Sequence, residues 1–347
     1  MKENSNTTIS DVAKLANVST ATVSRVINNK DKVSEKTKNI VLEAINELDF
    51  KIKKNDDLYD QDSKTILVFV TELKNPFFVP VIEGIQNSSY KHGYDLLILQ
   101  TKELYKDFSD YESVLKSQRF AGVIILSSIT SNQLSIISKK LSYRLPIVLC
   151  SEYIEDIDIP YVHVDDIESM KRATRYALSV GRKKIAFLNS SKDQSYSRRR
   201  EQGFREVMKK HGVEINEDYV MHLSSVTYNL AYTYSLHLFN LENPPDIILC
   251  VSDVFGVAAI NAAKKAGLRV PEDVAVIGFD NIDLSTMVSP KLTTIDQPTY
   301  LLGYQSCELL IEKIYNPSMP NKHLKLETEL VIRESTPMLI EKENLWK

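Results

Sequence analysis

Residues 8–28 read TISDVAKLANVSTATVSRVIN, and this stretch decides the fold of the N-terminal region. Thr8 and Asp11 form a capping-box pattern, which predicts that a short helix begins directly after Thr8. Residues 17–18 are predicted as a tight turn, and Ser19 is a suitable N-cap for a second short helix. Two short helices joined by so tight a turn are typical of a helix-turn-helix.

A third helix is predicted after this pair, over about residues 35–48, with Ser34 as its N-cap. Its apolar side chains repeat at helical spacing, at Val41, Ile45 and Leu48. Residues 1–54 hold ten Lys or Arg and seven Asp or Glu, whereas the rest of the chain is acidic. A small basic head on an acidic body fits a nucleic-acid-binding module attached to a second domain.

The sequence pattern changes to alternating strands and helices from residue 64 onward. Continuous apolar runs, which are typical of buried parallel strands, lie at 66–70, 95–99, 122–126 and 146–150, and again at 184–188, 219–223, 246–250 and 274–278. We therefore predict an α/β body of two doubly wound parallel-sheet subdomains. In such a body the ligand binds between the subdomains, at the carboxyl ends of the strands.

The predicted organisation is a helix-turn-helix head at 1–54, a linker at 55–63 and a body at 64–347. Residues 55–62 read NDDLYDQD and break the apolar periodicity with four acids and no base. Within the body, one subdomain takes about 64–163 and 292–322, and the other takes about 164–291 and 323–340.

Composition and motif content argue against several function classes. The 347 residues are 26% charged, and no apolar run approaches the ~18 residues of a membrane span. The sequence contains no Gly-x-Gly, Gly-x-x-x-x-Gly-Lys, Gly-x-Ser-x-Gly or His-x-x-x-His pattern. Its three Cys residues are too far apart for a disulfide framework or a Cys-x-x-Cys metal site. We therefore predict a cytoplasmic protein that is not an enzyme and has no metal, no cofactor and no membrane attachment.

Residues 8–28, followed by VSEKT at 33–37, resemble the DNA-binding head of the lactose/galactose-repressor family. The body is similar to that family through motifs in the family's order: NPFF at 75–78, R-x-x-GF at 200–204, VIGFD at 276–280, LTTI-x-QP at 292–298 and TELVIRES at 328–335. This resemblance covers nearly the whole chain. It implies a periplasmic-binding-protein-like sensor, a small-molecule effector, and a homodimer that binds a pseudo-palindromic operator in double-stranded DNA.

The resemblance assigns the DNA contacts residue by residue. Thr20, Ala21 and Arg25 match the base-reading positions, and an Arg can form two hydrogen bonds to guanine. Ser19, Thr22 and Asn28 are suited to phosphate contacts, which position the protein without reading sequence. Thr8 is also predicted as a DNA contact. The alternatives are that Thr22 merely fills the helix surface and that Arg25 is a solvated surface charge.

The linker departs from the family pattern. In the family this segment forms a short helix that inserts a Leu into the minor groove, and Leu58 takes that position. Its neighbours Asp56, Asp57 and Asp60 stand where Ala and Arg are usual. Because carboxylates are repelled by phosphates, the sequence leaves two alternatives open: Leu58 acts as a minor-groove wedge, or the segment is a solvated tether.

The resemblance also implies effector contacts, at Phe77, Phe78, Glu152, Arg200, Ser252, Asp253 and Asp280. An Arg suits vicinal hydroxyls or a carboxylate, and the aromatic rings can stack on a ligand ring. Asp253 is alternatively the N-cap of a helix at 254–266, and Arg198 and Arg199 are predicted as surface charges. The acids and the Arg favour a sugar or sugar phosphate, with a base as the alternative.

The sequence thus predicts a DNA-binding repressor of a sugar uptake or catabolic operon, switched by an effector in the cleft of the body. One alternative is the solute-binding component of a transporter, which shares the body's architecture but has no use for residues 8–48. A second alternative is an α/β enzyme with an added DNA-binding head. Induction or corepression by the effector, and the help of a phosphoprotein coregulator, stay open.

Overall fold

The computed structural model describes residues 8–27, 33–48, 50, 63–100, 119–126, 134–135 and 145–338. The head contains three helices: α1 (Ile9–Leu15), α2 (Thr20–Ile27) and α3 (Glu35–Glu47). The linker, with Leu58, and the predicted contact Asn28 lie outside the described residues.

The head forms the predicted helix-turn-helix around a small apolar core. The backbone N–H of Thr8 donates a hydrogen bond to the Asp11 carboxylate at 2.9 Å, which is one arm of the predicted capping box. The hydroxyl oxygen of Ser19 accepts from the N–H of Thr22 at 3.1 Å, and the hydroxyl of Ser34 caps α3 in the same way. The core consists of Val12, Ala13, Ala16, Val23, Val26, Val41, Ala44 and Ile45.

The body alternates strands and helices, as the apolar runs predicted. Its strands are β1 (Thr65–Val70), β2 (Asp95–Gln100), β3 (Gly122–Leu126), β4 (Ile147–Cys150), β5 (Tyr161–Val164), β6 (Ile185–Ser190), β7 (Val220–Leu223), β8 (Ile247–Cys250), β9 (Ala275–Asp280), β10 (Thr293–Asp296), β11 (His323–Leu326) and β12 (Glu329–Val331). Its helices are α4 (Phe78–Lys91), α5 (Asp166–Ser179), α6 (Ser195–Lys210), α7 (Tyr228–Phe239), α8 (Asp253–Lys265), α9 (Leu284–Met287) and α10 (Thr299–Tyr315).

These strands form two six-stranded sheets, one in each subdomain. The first sheet is parallel throughout, in the order β11-β5-β4-β3-β1-β2. The second has the order β12-β10-β9-β8-β6-β7, and β12 alone runs antiparallel to its neighbour. In both sheets the central strands are buried on both faces, which explains why they read as continuous apolar runs.

Two of the predicted subdomain boundaries need correction. The boundary at 292 assigned β10 to the first subdomain, but β10 pairs with β9 in the second sheet. The boundary at 323 assigned β11 to the second subdomain, but β11 pairs with β5 in the first sheet. The apolar pattern of a strand shows that the strand is buried, but it does not show which strand pairs with it. The pairing is decided by the tertiary structure. The chain consequently crosses between subdomains after β5, after β10 and after β11.

In the first subdomain, α4 and α10 pack together against one face of the sheet. Gly84 faces the backbone of Tyr300 and Gly303 faces the backbone of Val81, so the two helices touch through their main chains. Within the described ranges, no helix combines the length and the apolarity needed to cross a lipid bilayer.

Gly303→Ala is expected to lower the free energy of unfolding by about 3 kcal/mol, because the added Cβ would overlap the main-chain carbonyl oxygen of Val81. Gly122→Ala is the matched control. Its Cβ would meet the flexible end of the Leu310 side chain, which can move, so a loss of about 1 kcal/mol or less is expected. Denaturant unfolding of both variants measures the difference. Equal losses would contradict the main-chain overlap as the cause.

Candidate functional site

The outer surface of α2 is the candidate DNA-binding surface. Thr20, Ala21 and Arg25 are exposed, whereas Val23 and Val26 on the opposite side are buried in the head core. Ala21 and Arg25 are four residues apart and therefore share one face of the helix. This face is compatible with the major groove, where a recognition helix of this kind lies.

The predicted phosphate contacts lie at the start of the same helix. Ser19 is exposed, and its hydroxyl is 2.9 Å from the hydroxyl of Thr22. Both side chains therefore help to cap α2 in addition to any contact with DNA. Thr8 is exposed, and its hydroxyl donates to Asp11 at 2.6 Å.

A cavity of about 500 Å³ lies between the two subdomains, at the carboxyl ends of their strands. The cleft predicted from the strand pattern is therefore present. The first subdomain contributes Thr71, Glu72, Asn75, Phe77, Phe78, Leu126, Cys150, Ser151 and Glu152 to the wall. The second contributes Ser190, Gln194, Tyr196, Arg200, Ser224, Ser225, Val226, Thr227, Val251, Ser252 and Asp280, and Gln297 completes it.

Six of the seven predicted effector contacts line this cavity, and Asp253 is the exception: the lining includes Phe77, Phe78, Glu152, Arg200, Ser252 and Asp280. Phe77 and Phe78 meet edge to face, with ring centroids 5.4 Å apart. Both rings are in the wall, so the geometry does not choose between them as the ring that stacks on a ligand.

Arg200 lies in the cavity wall and is only 6% exposed, and three contacts hold its side chain in place. Its Nε donates to Oδ1 of Asp166 at 2.8 Å, and its Nη1 donates to the carbonyl oxygen of Val251 at 2.5 Å. Its guanidinium carbon lies 3.5 Å from the ring centroid of Phe279, which is a cation–π contact. The charge of Arg200 is thus already paired before any ligand binds.

Asp280 stands at the end of β9 in a strained backbone conformation. Its φ is +116°, a region that L-residues rarely adopt and that costs of order 1–3 kcal/mol. The Nε2 of Gln297 donates to Oδ1 of Asp280 at 2.6 Å. Burial raises the pKa of Asp280 to about 7, although the nearby Arg200 charge acts in the opposite direction.

Gln297 is a site residue that sequence reasoning did not assign. It is 3% exposed, it lines the cavity, and its Oε1 has no hydrogen-bond partner within the described part of the chain. A signal was available, since Gln297 directly follows β10 at its carboxyl end within the quoted LTTI-x-QP motif. Strand ends of this kind supply ligand contacts in α/β sheets.

Asp253 lies below the cavity and has a structural role. It is fully buried, and its carboxylate accepts from the N–H of Ile282 at 2.9 Å and from the hydroxyl of Thr294 at 2.5 Å. It therefore ties the turn after β9 to β10. The alternative prediction, that Asp253 is the N-cap of α8, is wrong. The hydroxyl of Ser252 accepts from the N–H of Phe255 and caps this helix.

Glu152 and Arg199 join the two subdomains beside the cavity. Glu152 follows β4 in the first subdomain, and it accepts from the Ser195 hydroxyl and from Nη2 of Arg199 at 3.1 Å, both on α6 of the second. Burial raises the pKa of Glu152, while the Arg199 charge acts to lower it. Arg199 also lies 3.3 Å from Asp166, and its side chain is only 12% exposed.

The prediction that Arg199 is a surface charge is therefore wrong, whereas Arg198 is exposed. Periodicity alone cannot show that the first turns of α6 face the other subdomain. Asp166, which is 3% exposed and binds both Arg199 and Arg200, was not singled out from the sequence for the same reason.

In the wild type, ionisation of Asp280 is expected to lower the free energy of unfolding as the pH rises from about 4 to about 7, and Asp280→Asn is expected to remove this fall. The native pKa of Asp280 is about 7 and its ordinary value is 3.8, so in this window the native state binds more protons than the unfolded state. The wild-type free energy of unfolding therefore falls as the pH rises through the window, and this group adds no further loss above about pH 7. Urea unfolding at pH 5 and pH 8 measures the slope.

The exposed Asp283 provides the control, since Asp283→Asn is expected to leave the wild-type slope unchanged. A slope that is equally steep in Asp280→Asn and in the wild type would show that Asp280 does not hold the extra proton.

A helix-turn-helix head, together with a two-subdomain body that encloses a cleft, defines the class of ligand-sensing transcription regulators. The family follows from direct comparison: residues 8–52 match the bacterial regulatory proteins of the lacI family, and residues 63–334 match the periplasmic binding proteins and sugar binding domain of the LacI family. The chain belongs to the LacI family.

Relatives in this family match the chain from end to end. The HTH-type transcriptional repressor CytR of Escherichia coli (strain K12) is 32% identical over 345 residues, which cover 97% of this chain and 98% of CytR. The HTH-type transcriptional repressor PurR of Photobacterium profundum is 32% identical over 332 residues, which cover 94% of this chain and 98% of PurR. These relatives are named repressors and not enzymes.

Solved structures agree with the fold. The transcriptional regulator CelR in complex with cellobiose superimposes with a TM-score of 0.72 at 28% identity, over 95% of this chain and 99% of CelR. A putative LacI transcriptional regulator from Bacillus cereus subsp. cytotoxis NVH 391-98 superimposes with a TM-score of 0.73 at 27% identity, over 79% of this chain and 99% of that one. The chain is therefore a DNA-binding transcription regulator with an effector-binding body.

Proposed function

We propose that this protein represses a sugar uptake or catabolic operon and that a sugar or sugar phosphate in the cleft switches its operator affinity. The observation that carries the proposal is the cavity between the subdomains, where aromatic rings, a rigid Arg and buried acceptors converge. Phe77, Phe78, Arg200 and Asp280 provide these groups. The cellobiose bound to CelR, which has the same fold, adds support for a sugar.

The proposed DNA contacts are those of the head. Thr20, Ala21 and Arg25 contact the bases. Thr8, Ser19 and Thr22 contact phosphates or cap the helices that contact the DNA. The exposure of the α2 face supports this assignment. Asn28 and Leu58 complete the proposed set and lie outside the described residues.

The proposed binding unit is a homodimer on a pseudo-palindromic operator, because one head offers too few contacts for tight binding. Val79 and Tyr90 on α4 support a protein interface, since they are 61% and 85% exposed. They are eleven residues apart, which is close to three helical turns, so they share one face of the helix.

The proposed mechanism is linkage between the cleft and the heads. Rotation of the subdomains about the three crossing segments changes the spacing of the two heads, and a ligand that prefers one orientation changes operator affinity. The expected coupling free energy is ~1–3 kcal/mol. The buried Glu152–Arg199 pair joins the two subdomains beside the cavity, so a rotation of the subdomains acts on this contact. We propose induction, in which the effector releases DNA.

The test is selection of DNA fragments from the source genome, followed by footprinting at two salt concentrations with and without candidate sugars. The expected result is a two-fold symmetric site near transport or catabolic genes, with affinity that falls when the effector is added. Binding that is weak, sequence-blind and steeply dependent on salt would contradict the proposal. A solute-binding protein would retard no DNA, and an enzyme would turn the sugar over.

A further inference from the structure

A cluster of three aromatic rings lies where the first subdomain meets the second. Tyr153 follows β4, and Tyr161 and His163 stand two residues apart on β5, so these two share one face of the sheet. The ring centroid of His163 lies 4.6 Å from that of Tyr153 and 5.3 Å from that of Tyr161. The guanidinium carbon of Arg199, on α6 of the second subdomain, lies 4.3 Å from the ring centroid of Tyr153. Tyr153 is therefore in contact with His163 and also with a cation of the other subdomain.

His163 stands just before a segment in which the chain crosses between the subdomains. It is the penultimate residue of β5, and α5 of the second subdomain begins at Asp166. The Nδ1 of His163 is buried and has no hydrogen-bond partner among the residues that the structure describes. A buried polar atom without a partner is uncommon and costs free energy. A proton added to this ring would place a charge where no hydrogen bond to Nδ1 stabilises it.

The carboxylates closest to His163 along the chain are already paired. The charged or titratable side chains that face His163 or its two ring neighbours are Tyr153, Glu155, Tyr161, Asp165, Asp166, Arg199, His323 and Lys325. Asp166 lies 3.3 Å from Arg199, and Asp165 lies 3.7 Å from Lys325 on β11. An imidazolium at His163 would gain either carboxylate only by competing with its present partner.

The cluster disfavours the protonated form of His163. Burial lowers the pKa of His163 from its ordinary value of 6.5, and the Arg199 charge acts in the same direction, whereas Asp166 acts against it. We call the arrangement with Arg199 over Tyr153 closed. If the subdomains separate, Arg199 leaves the cluster and water reaches the ring, so the pKa of His163 rises back toward 6.5. A fall in pH through 6.5 therefore favours the separated arrangement, whereas above that pH the imidazole is neutral in both.

We propose that His163 is an acid-sensitive switch at this interface: its protonation disrupts the contact between Tyr153 and Arg199 and favours separation of the two subdomains. The imidazolium would lie one ring away from the Arg199 guanidinium, and like charges repel each other strongly in a poorly solvated site. The proton would act from outside the cavity, since neither Tyr153 nor His163 lines it. Protons are the ligand of this switch, so neither the operator nor the effector needs to be known for its test.

The test measures the distance between the two subdomains in the full-length protein. Spin labels on Ser318→Cys in the first subdomain and Lys210→Cys in the second report this distance, because both positions are exposed and the native cysteines are buried. Labelled protein is diluted into unlabelled protein, which removes distances between chains. As the pH falls from 7.5 to 5.5, the ratio of the separated to the closed population is expected to rise.

His163→Gln isolates the switch, because burial also raises the pKa values of Glu152 and Asp280, and these groups take up protons as the pH falls. The rise of the ratio is expected to be at least about threefold smaller in His163→Gln than in the wild type. His163→Phe, which keeps a ring in the cluster, is expected to behave like His163→Gln. His237→Gln is the matched control and is expected to keep the wild-type pH dependence, since His237 is exposed on α7.

NMR of the histidine ring carbons gives a second readout, which a merely structural role of His163 would not move. The His163 signal is identified by its absence in His163→Gln, and its titration midpoint is expected below pH 6.5. Arg199→Met removes the cation over Tyr153 and is expected to move this midpoint upward. The midpoint of His237 is expected to stay the same in that variant.

Three results would overturn the proposal. A distance that does not change with pH in the wild type would show that acid does not separate the subdomains. An equal change in His163→Gln and the wild type would assign the effect to Glu152 or Asp280. A His163 midpoint at or above pH 6.5 would show that the cluster does not disfavour the imidazolium. Operator binding is not measured in these experiments, so each of these results would leave the proposed function standing.

Discussion

Arg25→Ala is expected to abolish sequence-specific operator binding while the head stays folded. Arg25 is exposed on α2, outside the apolar core of the head, so its removal costs little stability. A bidentate Arg–guanine contact contributes ~1–3 kcal/mol of discrimination. Two heads in the proposed homodimer lose about 2–6 kcal/mol together, which corresponds to roughly 30- to 10⁴-fold in affinity. Fluorescence anisotropy with operator and scrambled duplexes at fixed salt measures this loss.

Arg25→Lys separates charge from geometry in the same assay. Lys keeps the positive charge but lacks the planar fork, so the variant is expected to keep its non-specific binding and lose its preference for the operator. Lys14→Ala is the matched control for a lost head charge, because Lys14 is exposed on α1 and away from the proposed reading face. An unchanged preference in Arg25→Lys would identify Arg25 as a solvated surface charge.

Asp166→Ala is expected to lower the free energy of unfolding by about 3–5 kcal/mol and to abolish effector binding. Asp166 is 3% exposed and is the shared carboxylate of Arg199 and Arg200. Its removal leaves Arg200 buried and without its ion-pair partner, which is the costly way to break a buried pair. Arg200 also loses the contact that fixes it in the cavity wall. Urea unfolding measures the first effect and calorimetry the second.

The neighbouring Asp165 offers a matched control for this prediction. Asp165 caps α5 by accepting from the N–H of Glu168 at 2.9 Å, and its side chain is 41% exposed. Asp165→Ala is therefore expected to cost only about 1 kcal/mol, the usual loss for an N-cap, and to leave effector binding intact. Similar losses in the two variants would mean that the buried ion pairs contribute no more than a helix cap does.

The elements were largely predictable because each depends on local pattern. The capping residues Thr8, Ser19 and Ser34 stand next to periodic apolar positions, and helix starts in the structure follow them directly. The continuous apolar runs correspond to strands buried on both faces. Local rules of this kind act over a few residues, and the sequence displays them directly.

The candidate site was predictable where a family motif supplied the residue, on helix α6 for Arg200 and at the end of β9 for Asp280. Arg200 and Asp280 were placed in the cleft by their motifs, and both line it. Asp253, which follows β8, was also predicted as an effector contact, but its carboxylate accepts hydrogen bonds from Ile282 and Thr294 and does not line the cavity. Sequence proximity to a strand end places a residue near the site without deciding the direction of its side chain.

The sequence by itself determined the class of the fold, the helix-turn-helix, the alternating body and most of the predicted contacts in the cavity wall. Only the tertiary structure decided which sheet takes β10 and β11, that Arg199 joins the subdomains through Glu152, and that Gln297 presents an unpartnered acceptor. The physical reason is the distance along the chain between the residues that interact. Helix caps and apolar periodicity depend on residues a few positions apart, whereas strand partners and buried ion pairs join residues far apart in the chain, and their energies depend on packing.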